Sequence, residues 1–303
     1  MGEIMDTVRA YYNSSIKTEQ TMAILIGIGV CLNRLATAAS QVALAIATLL
    51  GIYLWWKNGK HLILNDDARK YIKVSYLFFF ATLVSIVDVD NKLYVLQNFF
   101  GTWVWRFMVF ILVVAFVKKK VYLLRILASF LLVYSLDCLT ACYQFFILHE
   151  GRGHGFHGDY LDLTAIICMV LAASAIMLLD KHFEPWIKRI ALISLVASIA
   201  GLFGCFGRGA FLVSALVAPT YLFFYFRSSK KLAAGILAVL VLLGGVIASN
   251  PKYVDRLSTT FDTKTNTSNL GRIWVWKSSL DMYLDHPING VGLNNWGLYY
   301  RSV

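Results

Sequence analysis

Nine apolar runs divide the chain between residues 20 and 249, at about 20–33, 36–56, 71–87, 99–117, 121–148, 161–180, 189–206, 210–226 and 232–249. Few folds can bury so many such runs. A backbone placed in hydrocarbon has to satisfy its own N–H and C=O groups, and a helix of roughly 20 apolar residues does this while crossing the bilayer core. The chain is 58% hydrophobic and 15% charged, with a mean hydropathy of +0.64, which is far from soluble globular composition. The expected fold is all-α: a polytopic membrane helix bundle over 1–249, followed by the start of a large extracytoplasmic loop over 250–303. The first run is the shortest and contains Gly27 and Gly29. It reads either as an uncleaved membrane anchor or, with the second run, as a re-entrant unit over 20–56.

The net charge of +11 would point to nucleic acid in a soluble protein. Here the basic residues lie between apolar runs, where they set orientation, and no nucleic-acid partner is expected. With the N-terminus in the cytoplasm, the inside segments hold Arg9 and Lys17, then Lys57 to Lys73, Lys118 to Arg125, Lys181 to Arg189, and Arg227 to Lys231. The outside loops before residue 250 hold only Arg34, Lys92, Arg152 and Arg208. This asymmetry puts residues 250–303 outside the cytoplasm. The five cysteines all fall in or at the ends of apolar runs and read as small buried hydrophobes.

After residue 250 the pattern changes. A polar connector leads to Asn269, which is expected to cap a helix over about 270–285. Ile273, Trp276, Leu280 and Leu284 recur at helical spacing as one apolar stripe. His286-Pro287 ends the helix, because a residue before proline is disfavoured in the α region, and Asn289-Gly290 turns the chain. The tryptophans suit a membrane interface.

Four charges stand out. Arg208, between Gly207 and Gly209, sits where two spans join with almost no loop, and its guanidinium can grip a phosphate bidentately. Arg272 opens the tail helix, where the dipole already favours an anion. Arg106 and Asp137 lie inside spans, about 10 and 17 Å below their outer ends at 1.5 Å per residue. Intramembrane charges are costly and are paired or functional, so these two are expected to pair or to share a substrate cavity. The loop "LHEGRGHGFHGDY" (148–160) carries His149, His154 and His157. Its four glycines make it floppy, and it reads as a solvated loop with substrate contacts rather than a metal site. Asp88-Val89-Asp90 matches Asp-x-Asp but reads as a solvated turn.

Arg208-Gly209-Ala210, then Arg272 with Trp276, then His286-Pro287-Ile288-Asn289-Gly290-Val291-Gly292 resemble the motifs of the O-antigen ligase and polymerase superfamily, bacterial membrane glycosyltransferases of GT-C type. The resemblance covers residues 200–303 by motif and the earlier spans by topology. It implies transfer of a glycan from a polyprenyl diphosphate carrier to a lipid A-core or to a second lipid-linked glycan, by a protein of the bacterial inner membrane. It implies inverting chemistry without metal or other cofactor, with Arg208 and Arg272 on the diphosphate. The family's general base is a loop histidine further along than the His-Pro motif. None follows His286 here, so the chain reads as C-terminally truncated with its expected base beyond Val303. A flippase of lipid-linked glycan and a non-catalytic fragment of the enzyme are the alternatives.

Overall fold

The computed structural model describes residues 2–57, 64, 66–87, 89–156, 158–205, 207, 210, 211, 213, 214 and 262–300, with isolated positions between 244 and 259; side chains are described from residue 17 onward. Among these residues all regular structure is helical. In chain order the elements are α1 (Gly2–Leu32), α2 (Thr37–Lys57), α3 (Asp66–Val84), α4 (Lys92–Asn98), a π-helical turn (Phe99–Val104), α5 (Trp105–Phe116), α6 (Lys120–Phe146), α7 (Tyr160–Leu179), α8 (Pro185–Cys205), α9 (Thr267–Asp285) and α10 (Trp296–Tyr300).

Five helical segments are long and apolar enough to cross a membrane: Thr37–Lys57, Lys92–Phe116, Lys120–Phe146, Tyr160–Leu179 and Pro185–Cys205. They coincide with five of the expected spans. The expected run at 20–33 is the second half of the longer helix α1, and a turn at residues 33–35 separates α1 from α2. The run at 71–87 covers the later part of α3 and the turn after it; the first half of this helix is charged, with Asp66, Asp67, Arg69, Lys70 and Lys73. Most of the expected spans at 210–226 and 232–249 lies outside the described residues. Large apolar side chains face outward along the spans, among them Leu49, Trp56, Leu136 and Met169. In a bilayer these surfaces meet lipid, so they cost nothing to expose.

The helices form two compact units. One comprises Met1–Ile26, Leu44–Lys119 and Asp262–Val303; the other comprises Gly27–Ala43 and Lys120–Phe261. In the first, Met22, Ile26, Ala47 and Leu112 are buried. A Cβ on Gly51 of α2 would stand 2.7 Å from Leu112 Cδ2, so the glycine lets α5 approach. The Glu19 carboxylate accepts from the backbone N–H groups of Lys118 (2.7 Å) and Lys119 (2.6 Å), in the link that follows α5.

The second unit is built on the packing of α8 against α6 and α7. Its seam is made of small residues. Ser194, Ala197, Ser198, Gly201 and Cys205 of α8 are buried and recur every three or four residues, the arrangement by which membrane helices bring their backbones together. Ser135 and Ser194 hydroxyls meet at 2.8 Å, and Ser194 also donates to the Leu131 carbonyl at 3.0 Å. Closer to the end of α8, a Cβ on Gly201 would lie 2.7 Å from Cys138 Cβ, and one on Gly204 would lie 2.9 Å from the Ala141 carbonyl. All five cysteines are free thiols, and Cys31, Cys138 and Cys205 are buried, as their apolar surroundings led us to expect.

These contacts rank two substitutions. Gly201→Val has to move the α6 backbone and should destabilise the protein by about 1–3 kcal/mol. Gly51→Ala meets side-chain tips, Leu112 Cδ2 at 2.7 Å and Phe116 Cε2 at 3.2 Å, and no backbone, and should cost distinctly less. Thermal unfolding of the detergent-solubilised protein reads the difference directly.

Candidate functional site

The most highly organised polar region of the described residues lies in the second unit, where the loop after α6 folds back onto its own helix. Asp137, Ala141 and Gln144 recur at i, i+4 and i+7 and share the buried face of α6. Asp137 is fully buried, and Arg34, from the turn after α1, is 6% exposed. The Arg34 Nε donates to Asp137 Oδ2 at 2.8 Å. The other carboxylate oxygen, Oδ1, accepts from the Phe156 N–H at 2.6 Å, and the Arg34 guanidinium also donates to the His154 carbonyl at 3.3 Å. About two turns further up α6, Gln144 Oε1 accepts from the N–H groups of His154 and Gly155, each at 2.9 Å, while its Nε2 donates to the Gly155 carbonyl at 3.0 Å.

Glycine makes this fit. A Cβ on Gly153 would stand 2.1 Å from the Ala141 carbonyl, and one on Gly155, whose φ is +73°, would stand 2.0 Å from Asp137 Oδ1. The Gly153 N–H donates to the Gly204 carbonyl at 2.9 Å, which ties the loop to the last turn of α8. The expectation of a floppy loop is therefore overturned. Gly153 and Gly155 serve close approach, and buried side chains hold the loop's backbone. The His154 imidazole stands 3.4 Å from the Glu150 carboxylate, both partly exposed. The Arg152 guanidinium lies over the Tyr160 ring, 4.3 Å from its centroid.

The expected pairing of Arg106 with Asp137 is also corrected. Asp137 pairs with Arg34, and Arg106 is exposed at the start of α5. A carboxylate at the buried face of α6 takes the guanidinium that reaches it, and Arg34 does so from a turn that the sequence reading had assigned to an outside loop. The signal was present: Arg34 was one of the few basic residues against the orientation rule, and an ion pair is what such an exception accommodates.

Arg208 and Gly209 lie outside the described residues, as does His157. Gly207 and Ala210 flank them and are buried; the Ala210 and Phe211 N–H groups donate to the Gly207 carbonyl, opening a helical turn. A Cβ on Gly207 would lie 2.8 Å from Thr164 Cγ2 on α7.

The remaining motif residues belong to the first unit. The N-cap of α9 is Asn266, whose side chain accepts from the N–H groups of Ser268 and Asn269. The expected cap, Asn269, lies inside the first turn and donates to the Asp262 carbonyl at 2.7 Å. Asp262 orders this entry by accepting from the Thr265 hydroxyl and from the N–H groups of Thr265 and Lys264. These hydrogen bonds hold its carboxyl below the usual carboxylate range, so the turn keeps this support at neutral pH and loses it as pH falls through that lowered value. Because α9 begins at Thr267, Arg272 sits in its second turn rather than at its N-terminus. It is exposed and one turn from Trp276. The stripe of Ile273, Trp276, Leu280 and Leu284 is 41–70% exposed, while Met282 on the opposite face is buried.

His286 ends α9 as its C-cap, at φ −130° and ψ 64°, donating its N–H to the Met282 carbonyl. Its ring meets that of Tyr299 edge to face, with centroids 5.7 Å apart. Gly290 and Gly292 both have positive φ. A Cβ on Gly292 would stand 2.7 Å from Val89 Cγ2 and 3.3 Å from Val95 Cγ2, so the second motif glycine seats the segment against the stretch before α4. Asn294 donates to Asn98 Oδ1, and Trp296 Nε1 donates to Ser279 Oγ, each at 2.8 Å. Among the described residues no cluster of His, Cys, Asp and Glu could hold a metal ion.

The helices and their apolar outer surfaces define a multi-pass helical membrane protein. Residues 193–302 match the family model described as O-antigen ligase, and this match supports membership of the O-antigen ligase and polymerase family. The matched region takes in the end of α8, Arg208, α9 and the His286–Gly292 segment, and it supports glycan transfer of the ligase or polymerase kind. No curated protein matches the chain.

Removing one partner of the buried pair should be costly. Asp137→Ala or Arg34→Ala should each lower unfolding stability by about 3–5 kcal/mol by stranding a buried charge. The double variant Arg34→Met/Asp137→Leu should recover part of this loss and leave roughly 1–3 kcal/mol for the Phe156 amide without its acceptor. Denaturation in detergent, compared as a double-mutant cycle, checks both figures.

Proposed function

We propose that this chain carries the donor-binding arginines of an inverting, metal-independent glycosyltransferase of the bacterial inner membrane. The reaction moves a glycan from a polyprenyl diphosphate carrier to a lipid A-core or to a second lipid-linked glycan. The observation that carries this reading is the family match over 193–302, which contains both motif arginines. In the reaction, an acceptor hydroxyl loses its proton to a base, and its oxygen forms a bond to the anomeric carbon. The bond from that carbon to the carrier phosphate breaks, and the diphosphate leaves with the electron pair. Arg208 and Arg272 bind the diphosphate and neutralise the charge it gains, as preorganised donors do in other displacements.

The exposed state of Arg272 supports this role, since an exposed guanidinium is open to a ligand. The outward apolar stripe of α9 supports a place at the membrane interface, where an apolar helix face inserts at the headgroup boundary. The arrangement of nine spans with residues 250–303 outside the cytoplasm rests on the distribution of lysine and arginine.

Two measurements test the proposal. In membranes supplied with a lipid-linked glycan donor, Arg208→Gln and Arg272→Gln in the full protein should each lower transfer by about 10²–10³-fold, the loss typical of one such donor; wild-type rates in both variants would refute the diphosphate role. Reporter fusions after residue 260 should report the extracytoplasmic side, and fusions after Lys119 the cytoplasmic side; the opposite pattern would reverse the orientation.

A further inference from the structure

We infer that Arg106, with Thr102 one turn before it, binds the phosphate of an anionic membrane lipid within the span Lys92–Phe116. The site belongs to the first unit alone and does not depend on the roles of Arg208 and Arg272.

The first observation is a charge without a counter-charge in its own chain. Arg106 lies inside an apolar span and is exposed. Among the described residues no group pairs with it. The sequence offers no intramembrane carboxylate that could. Asp137 is the one acidic residue in the interior of an apolar run, and Asp162 and Asp180 stand at the ends of theirs. The Asp137 carboxylate is taken by Arg34 at 2.8 Å. A second copy of the chain has the same deficit. Intramembrane charges are retained where something neutralises them, so the counter-charge of Arg106 comes from a different molecule resident in the membrane.

Second, a polar track leads to this charge. Asn98, Thr102 and Arg106 follow at intervals of four and share one side of the helix. The track runs through the π-helical turn Phe99–Val104, and such turns occur mostly at functional sites. The neighbouring side fixes the rotation of the helix. Phe99 and Phe107 meet Phe79 of α3 edge to face, with centroids 5.7 and 5.1 Å apart, and Trp103 meets Phe78 at 4.9 Å. A Cβ on Gly101 would meet nothing within 4 Å, so the surface beside Thr102 is open. The hydroxyls of Thr48, Thr82 and Thr140 each donate to the carbonyl four residues earlier. The half-buried Thr102 makes no such bond among the described residues, so its hydroxyl is uncommitted.

Third, the track begins where the tail docks. Asn98 Oδ1 accepts from Asn294 Nδ2 and Asn98 Nδ2 donates to the Tyr94 carbonyl, each at 2.8 Å. Arg106 lies two turns further into the span. A ligand at this position has to reside in the bilayer, carry negative charge, and accept hydrogen bonds from a guanidinium and a hydroxyl one turn apart. A lipid phosphate meets all of these demands. Its oxygens accept bidentately from arginine and singly from threonine, while its chains stay in hydrocarbon. A carboxylate on a partner helix meets the charge alone and gives the uncommitted hydroxyl no part. A lipid-linked diphosphate and an ordinary anionic phospholipid present the same chemical group.

The test is lipid binding by the full chain in a phosphate-free maltoside detergent, read by native mass spectrometry. The probes are a polyprenyl diphosphate and phosphatidylglycerol. Arg106→Gln should weaken binding by about ten- to a hundredfold, the effect of losing one charge-assisted hydrogen bond. Its melting temperature should stay at the wild-type value, since the guanidinium supports no contact within the fold. Thr102→Val keeps the shape of the side chain and should weaken binding by about two- to tenfold. Either pattern of loss supports the inference and names the source of the phosphate. A loss confined to the polyprenyl diphosphate identifies the lipid-linked donor, and a loss that includes phosphatidylglycerol identifies a general lipid-phosphate site. Wild-type affinity of Arg106→Gln for both lipids overturns the inference and leaves a partner's carboxylate as the counter-charge. Should Arg106→Gln fail to fold, Thr102→Val decides: weakened binding supports the site, and wild-type affinity for both lipids overturns it.

Discussion

The buried ion pair between Arg34 and Asp137 constrains everything around it. A lone carboxylate on the buried face of a membrane helix is not tolerated, so the chain has to deliver a cation and further donors to it. Arg34 supplies the charge from the turn after α1. Phe156 supplies an amide from the loop after α6. These contacts join segments that are far apart in sequence, and they leave the loop no freedom to wander. The charge is expensive to bury, and its partners are held in place for that reason.

The second constraint is steric. A loop can lie on a helix only where side chains make room, and α8 can reach α6 only where both offer small residues. Gly153, Gly155, Gly201 and Gly204 all stand where a Cβ would collide with α6. The serine pair at 135 and 194 satisfies hydroxyls within the same seam. Close packing brings the end of α8, the turn at Gly207 and the loop at 150–156 into one neighbourhood.

The membrane-spanning helices were the most legible part of the sequence, because apolarity over twenty residues is a property of each segment alone. The tail helix was legible in outline. Its stop at His286-Pro287 follows from proline sterics, but its start was misplaced by three residues, since Asn266 and Asn269 have equal local claims to the cap. The selection came from Asp262, whose turn and carbonyl engage the residues that follow. Arg106 and Asp137 were recognised as costly charges, yet their pairing was misassigned, because helix depth says nothing about which helices are neighbours. The glycines of the 148–160 loop suggest freedom, whereas Gly153 and Gly155 are a condition of contact.

By itself, then, the sequence determined the helical membrane class, five of the span positions, and the motifs near Arg208, Arg272 and His286 that resemble those of the O-antigen ligase and polymerase family. These depend on composition, spacing and local sterics. Only the tertiary structure decided that Asp137 belongs to Arg34, that Gln144 and Asp137 hold down a glycine-rich loop, and that Arg152 rests on Tyr160. Each of these is a choice of partner made across long stretches of chain. Burial makes that choice binding: once water is excluded, every charge and amide has to be matched by whatever group the packing brings within reach.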